Sequence, residues 1–258
     1  LYAVLSQKFK THKTEGNLNN ELFVPLTLLS MPEDTEAAVI EMGISDFGEM
    51  TRLSEMVQPT ICVLTIIGEC HLENLGDRDG VLKAKTPMFK NACENADFIL
   101  NGDDDKLSTV KTVNGKKPVF FGLDAKNDFY AKNIKNSGDG KVLATLCFDN
   151  NNIDVEIPAI GTYMVTNALA AAAAGKLLGL TDEEIANGVA SYKTVGSRAN
   201  VINTGKIKII DDCYNANPTS VRASLDTLSN LDGRKVAILG DMKELGSEEL
   251  KLHFDTGV

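Results

Sequence analysis

Glu41, His71 and Lys85 are an acid, an imidazole and a primary amine, each placed where an element of regular structure would end or carry it. Glu41 follows the apolar run Ala37-Ala38-Val39-Ile40. His71 follows the longer run at 60–67, through Gly68-Glu69-Cys70. Continuous β-branched and aliphatic runs of this kind read as strands buried on both faces, as in parallel sheets. Residues 48–57 have helical character, so the unit reads strand, helix, strand. Ligands of such sheets gather beyond the carboxyl ends of the strands. That rule predicts Glu41 and His71 side by side at one sheet edge, with Lys85 following on a helix. Carboxylate, imidazole and lysine converging there suit a metal or phosphate site. Taken singly, a Glu at a strand end is ordinarily a solvated cap and a lone His ordinarily structural, so the rest of the chain must decide.

The elements that would position them alternate. Residues 1–6 read as the tail of a helix and 8–13 as a short strand. The polar loop Thr14-Glu15-Gly16-Asn17-Leu18-Asn19-Asn20 follows, a plain turn by default but able to present amides to a ligand. A helix restarts at 25–31, with Pro25 in a tolerated early position. Residues 79–95 read as helix with a break at Pro87. Strands at 97–101 and 118–122 flank a helix at 103–111. This alternation predicts an α/β fold with a doubly wound, mostly parallel sheet. The texture then changes to an antiparallel meander at 129–134, 141–148 and 153–157, with turns at 136–140 and 149–152. Ile153, Val155 and Ile157 alternate with Asp154 and Glu156, the period of a half-buried strand. An alanine-rich helix at 161–178 contains Asn167, read as a buried amide that needs partners. Thr181-Asp182-Glu183-Glu184 is a capping box that opens a further helix.

A linker is expected at 193–197. Beyond it, 199–203 and 207–211 pair around Thr204-Gly205. Asn217 caps and Pro218 opens a helix presenting Val221, Leu225, Leu228 and Leu231, and a strand follows at 235–240. The division expected is a first domain at 1–194 and the beginning of a Rossmann-like domain, cut off before completion, at 195–258.

A formal net charge of −10 argues against a nucleic-acid partner, which would require a basic surface. Five scattered cysteines without a C-x-x-C pair fit reduced thiols in a cytoplasm and exclude a disulfide framework. No apolar run approaches the roughly 18 residues of a membrane span, and no signal peptide is visible. The chain starts at Leu1 and stops at Val258, within what reads as a helix, so an internal fragment is expected.

Asp211-Asp212-Cys213-Tyr214-Asn215-Ala216-Asn217-Pro218 resembles a signature of the Mur ligase family. So, in the same order, do the 14–20 loop, Glu41-Met42-Gly43, Ile67-Gly68 with His71, Ala84-Lys85, Thr166-Asn167-Ala168-Leu169, Ser197-Arg198 and Gly240-Asp241-Met242-Lys243-Glu244-Leu245-Gly246. The resemblance spans essentially the whole chain. It implies a monomeric ATP- and magnesium-dependent ligase of cell-wall (peptidoglycan) synthesis. Such an enzyme forms a peptide bond through an acyl phosphate, here adding D-alanyl-D-alanine to a UDP-linked muramoyl tripeptide. Two polyanions and a phosphoryl transfer call for divalent cations to offset charge.

By the same resemblance Glu41, His71 and Lys85 are catalytic and magnesium-site residues, with Lys85 in the place of a lysine that the family carbamylates. Asn167, Arg198 and Asp212 fall at nucleotide-contacting positions. Asn17, Asn19, Asn20, Asn215 and Asn217 fall in substrate-binding stretches. Phe23, Ile66, Tyr163 and Pro87 depart from the family pattern, which has Gly, Asn, His and Glu there. The family's glycine-rich phosphate loop is expected upstream of Leu1, so the 258 residues alone are expected to lack turnover. Two alternatives stand beside this reading: a related amino-acid ligase of the folylpolyglutamate synthase kind, and a catalytically silent binding module.

Overall fold

The computed structural model describes residues 1–137, 140–194 and 196–257. Gly138 and Asp139 of the expected 136–140 turn, Val195 of the expected linker, and Val258 lie outside the described residues.

The short helix α1 (Tyr2–Leu5) buries Val4 and Leu5. β1 (Thr11–Lys13) leads through the polar loop to α2 (Phe23–Leu29), and β2 (Ala37–Val39) pairs in parallel with β1. β2 is not buried on both faces as its apolar run suggested. Ala38 is exposed and its neighbours are half-buried, because this two-stranded ladder is covered on one side only. α3 (Glu49–Val57) turns the chain into β3 (Ile61–Leu64), followed by α4 (Leu72–Leu75), α5 (Arg78–Lys85) and α6 (Pro87–Lys90). The break between α5 and α6 comes at Thr86, since Pro87 lacks the N–H that would continue the helix and fits the first position of the next. Asp77 caps α5 by accepting from the Gly80 N–H at 2.8 Å, and a Cβ on Gly80 would stand 1.8 Å from the Leu75 carbonyl oxygen. Only glycine permits that approach.

β4 (Asp97–Asn101) and β5 (Val119–Phe121) extend β3 into a parallel ladder in the order β3-β4-β5. The helix expected at 103–111 is only a 3-10 turn at Leu107–Thr109. The buried Asp104 carboxylate accepts from the N–H groups of Lys106 and Leu107, both at 2.9 Å, giving the backbone an alternative to the helix ladder.

β6 (Tyr130–Asn136), β7 (Val142–Phe148) and β8 (Asn151–Ile157) form the antiparallel meander, with Ile153, Val155 and Ile157 turned inward as their alternation predicts. α7 (Tyr163–Leu177) buries Val165, Leu169 and its alanines, and α8 (Asp182–Ala190) opens with the Thr181–Glu184 capping box. α8 packs so tightly on α1 that a Cβ on Gly188 would stand 2.4 Å from Val4 Cα.

β9 (Asn200–Asn203) and β10 (Lys208–Asp211) form an antiparallel pair, followed by α9 (Pro218–Ser229) and α10 (Glu249–Gly257). Asn217 and Ser220 cap α9 reciprocally, and its expected apolar face is only half-buried. Residues 235–240 form no strand. No ladder partner meets them among the described residues, and Val236 and Ile238 are 64% and 94% exposed. Apolar residues alone do not make a strand where no neighbour accepts its hydrogen bonds.

Two cores result. One joins α1, the meander, α7 and α8. The other lies under α3, β3 and α4–α6, and it takes in Met242, Leu245 and Leu252 from the far end of the chain.

Candidate active site

The exit of β3 is fixed before any ligand is considered. The Ile67 N–H donates to Asp104 Oδ2 at 2.9 Å, and its carbonyl accepts from Arg78 Nε at 2.7 Å. Arg78 also pairs with Asp105 and stands 3.6 Å from Asp104. Asn101 Nδ2 donates to the Thr65 carbonyl at 2.8 Å. This network holds the backbone that runs on through Gly68, Glu69 and Cys70 to His71. Gly68 faces Thr219 at the start of α9, and Glu69 pairs with Arg222 on the same helix at 3.4 Å.

His71 sits at the head of α4 with φ +54°, unusual for a residue with a side chain. Its Nδ1 is buried, 2.5 Å from Glu244 Oε2 yet not aligned for a hydrogen bond, so the contact is close but the nitrogen's bonding capacity is unspent. Glu244 reaches it because its segment is docked: the Glu73 N–H donates to the Glu244 carbonyl at 3.1 Å, while Met242 and Leu245 are buried. His253 fixes the same segment, accepting from the Met242 N–H at Nε2 (3.0 Å) while Nδ1 meets the Glu249 carbonyl at 2.8 Å. That geometry places the ring proton on Nδ1.

Lys85 ends α5, half-buried and without an ion pair among the described residues. Burial pushes the neighbouring Cys70 thiol up, the Lys85 charge works against that rise, and the Glu244 charge adds to it. Cys70, His71, Lys85 and Glu244 therefore share one neighbourhood.

Glu41 lies in a separate, well-made corner rather than beside His71 as expected, because β2 pairs with β1 and, among the described residues, does not join the ladder of β3. Its N–H donates to the buried Thr14 hydroxyl at 2.9 Å, and its Oε1 accepts from Asn19 Nδ2 at 2.8 Å. The Gly43 N–H donates to the Asn19 carbonyl at 2.8 Å, which stitches the polar loop to the end of β2. Asn19 is thus joined to Glu41. Asn20 Oδ1 accepts from the Leu22 and Phe23 N–H groups where the chain enters α2, and Asn17 is exposed. Among the described residues no three His, Cys, Asp or Glu gather with metal-binding spacing.

Arg198, Asp212, Asn215 and Asn217 fall around β9, β10 and the start of α9. The Arg198 guanidinium lies over the Tyr214 ring, 4.1 Å from its centroid. Asp212 Oδ1 accepts from the Ala199 N–H at 2.9 Å, and its Oδ2 accepts from the Ser224 hydroxyl. Burial, with Asp212's charge adding, pushes the nearby Tyr163 phenol up to about 12. Asn217 is the α9 cap, and Asn215 accepts from the Ala216 N–H at 2.8 Å. Asn167 is exposed rather than buried, and its amide donates to the Met164 sulfur at 3.6 Å. The reading from the sequence missed Glu244, Arg78 and Asp104 as parts of the site. Their signal lay in the Asp241-Met242-Lys243-Glu244 and Asp103-Asp104-Asp105 stretches, but the partners are distant in the chain.

Residues 1–175 match the Mur ligase middle domain, and residues 197–257 match the Mur ligase, glutamate ligase domain. The chain belongs to the Mur ligase family. It is 37% identical, over its whole length, to the UDP-N-acetylmuramoyl-tripeptide–D-alanyl-D-alanine ligase of Bacillus subtilis, of which it covers 56%. Among solved structures, MurF from Acinetobacter baumannii superposes with a TM-score of 0.94 at 33% identity, covering 99% of this chain and 56% of that one. MurF from Thermotoga maritima in complex with ADP gives 0.91 at 30% identity, covering 99% and 59%. The chain therefore spans little more than half the length of these relatives. Among the described residues no helix is long and apolar enough to cross a membrane.

Proposed function

We propose that the whole protein is an ATP-dependent ligase that adds D-alanyl-D-alanine to a UDP-linked muramoyl tripeptide in the cytoplasm, with domains meeting at 194/195. The observation that carries the reading is the match, along the whole of this chain, to a tripeptide–dipeptide ligase, with Glu41 just beyond β2, His71 at the head of α4 and Lys85 at the end of α5. It also favours this substrate over that of a folylpolyglutamate synthase-like enzyme. The acceptor carboxylate takes the γ-phosphoryl group of ATP as an acyl phosphate, and the dipeptide amine displaces phosphate.

Magnesium fits the residues present. It binds through one or two protein ligands plus substrate phosphates and water rather than in an all-protein cage. The unspent His71 Nδ1 would supply one such donor beside Glu244, and Glu41, in its separate corner, keeps one oxygen free for a cation of its own. Bound there, the ion supplies charge neutralisation for the phosphates. Lys85 in its neutral form adds its Nζ lone pair to the carbon of carbon dioxide and loses a proton, giving a carbamate that presents oxygen where an ammonium would repel the cation. Arg198 and Asn167, both exposed, take the nucleotide. Asn17, Asn19 and Asn215 serve the peptide substrates. Phosphate release that requires both the UDP-linked tripeptide and the dipeptide is the expected result. Release with glutamate in place of the dipeptide refutes the substrate assignment, and no release with any amine supports a silent module.

A further inference from the structure

Arg198 is exposed, but it is not loose. The residues on either side of it are each tied to the neighbouring strand and the turn after it. The Tyr214 N–H donates to the Ser197 carbonyl at 3.1 Å, and the Ala199 N–H donates to Asp212 Oδ1 at 2.9 Å. The Cys213 thiol donates to Asp211 Oδ1 at 3.0 Å. Asp212 carries the tie on to α9 through Ser224. Between these bonds the guanidinium lies over the Tyr214 ring at 4.1 Å, and none of its N–H groups has a protein partner among the described residues.

A guanidinium stacked on a ring has its face covered and its edge free. The edge is where its N–H donors lie, in a planar fork that matches a phosphate. The ring also attracts the cation electrostatically. Backbone ties on both sides and a covered face therefore select one plane for the fork without consuming a donor.

We propose that Tyr214 is a positioning residue, holding the Arg198 guanidinium in a fixed plane so that its free edge receives a phosphate of the nucleotide. This rests on the reading of Arg198 as a nucleotide contact, and it assigns to Tyr214 a part in nucleotide affinity rather than in substrate contact. The phenolic hydroxyl has no share in it; the ring does.

The test uses Tyr214→Leu, Tyr214→Phe, Arg198→Ala and the Tyr214→Leu/Arg198→Ala double variant of the protein. Two measurements are made: ADP binding by calorimetry with magnesium present, and the order of the Arg198 Nε–H by nitrogen relaxation in the ligand-free protein. Tyr214 is 45% exposed, so removing its ring leaves the fold standing, and the melting temperature checks this. Tyr214→Leu is expected to release Arg198 and weaken ADP roughly two- to fivefold, the size of one exposed cation–π contact. Tyr214→Phe is expected to match the wild type in both measurements. Tyr214→Leu should add nothing once Arg198 is alanine. If Arg198→Ala weakens ADP while Tyr214→Leu leaves both affinity and Arg198 order unchanged, the positioning role is overturned and the nucleotide contact stands. If Arg198→Ala leaves ADP affinity unchanged, the nucleotide contact falls and the positioning role with it. Equal losses for Tyr214→Leu with and without Arg198 also overturn it, since Tyr214 would then act on its own.

Discussion

A lysine ammonium, with an ordinary pKa near about 10.4, is a poor neighbour for magnesium at neutral pH. Lys85 nevertheless shares a neighbourhood with His71, and no carboxylate pairs with it among the described residues. If it acts as a carbamate, Lys85→Ala and Lys85→Arg are expected to be equally inactive, losing at least two decades of turnover in phosphate release. Lys85→Glu, which supplies oxygen at shorter reach, is expected to keep a trace. Substantial activity in Lys85→Arg would show a simple phosphate-binding cation instead. Asp212 calls for the opposite test. A nucleotide-contacting role predicts lost affinity with an intact fold, but both its oxygens are already occupied by Ala199 and Ser224. Asp212→Ala is therefore expected to cost about 1–3 kcal/mol of stability by stranding a donor. That is a fall of a few degrees in Tm, and Asp212→Asn should recover most of it. A loss of ADP affinity without any change in Tm would restore the nucleotide role. Thiol chemistry gives a pH test at the same scale. Burial pushes Cys62 up to about 12, whereas Cys213 is exposed. Only the thiolate alkylates. Between pH 7 and 9 iodoacetamide is expected to modify Cys213 and to leave Cys62 intact in the folded protein, as read by mass spectrometry. A raised folded pKa also has a sign for stability: its contribution is complete below pH 9 and is lost as pH climbs toward 12.

At the scale of elements, the sequence displayed what local pattern encodes. The alternating Ile153, Val155 and Ile157, the Thr181 capping box, the Asn217-Pro218 helix start and the break at Pro87 all formed where their chemistry placed them. The misses share a different cause. The 103–111 helix lost to Asp104, whose carboxylate had a tertiary task at Ile67 that no local pattern reveals. Asn167 reads as buried among its alanines, but a helix with small residues on every side does not announce which face is solvent. The apolar 235–240 run found no ladder. Close approach is legible only in hindsight: Gly188 reads as a weak spot in α8 until Val4 of α1 is seen against it. Gly188→Ala should raise intrinsic helix propensity and yet destabilise, by about 1–3 kcal/mol, since the added methyl meets backbone that cannot rotate away. Chemical denaturation decides between the two effects, and a gain in stability would mean α1 is free to move.

The whole molecule turns on one long-range closure. Met242 and Leu245 leave the second part of the chain and are buried in the core beneath β3 and α4–α6, at 3% and 2% exposure. Their docking brings Glu244 against His71, and the Glu73 N–H holds the Glu244 carbonyl. Core burial and site geometry are thus the same event. Leu245→Ala should cost about 2–5 kcal/mol for the buried side chain and the cavity left behind. The consequence is directional as well as energetic. Weaker docking should free the segment from 241 through α10 while the distant core of α7 and the meander keeps its protection, because those elements do not touch Leu245. Hydrogen exchange followed by mass spectrometry reads both regions at once. Faster exchange confined to 241–257 and to the Glu73 amide is the expected outcome. Uniform acceleration across the chain would mean that Leu245 supports global stability only, and that Glu244 is not held against His71 by this side chain.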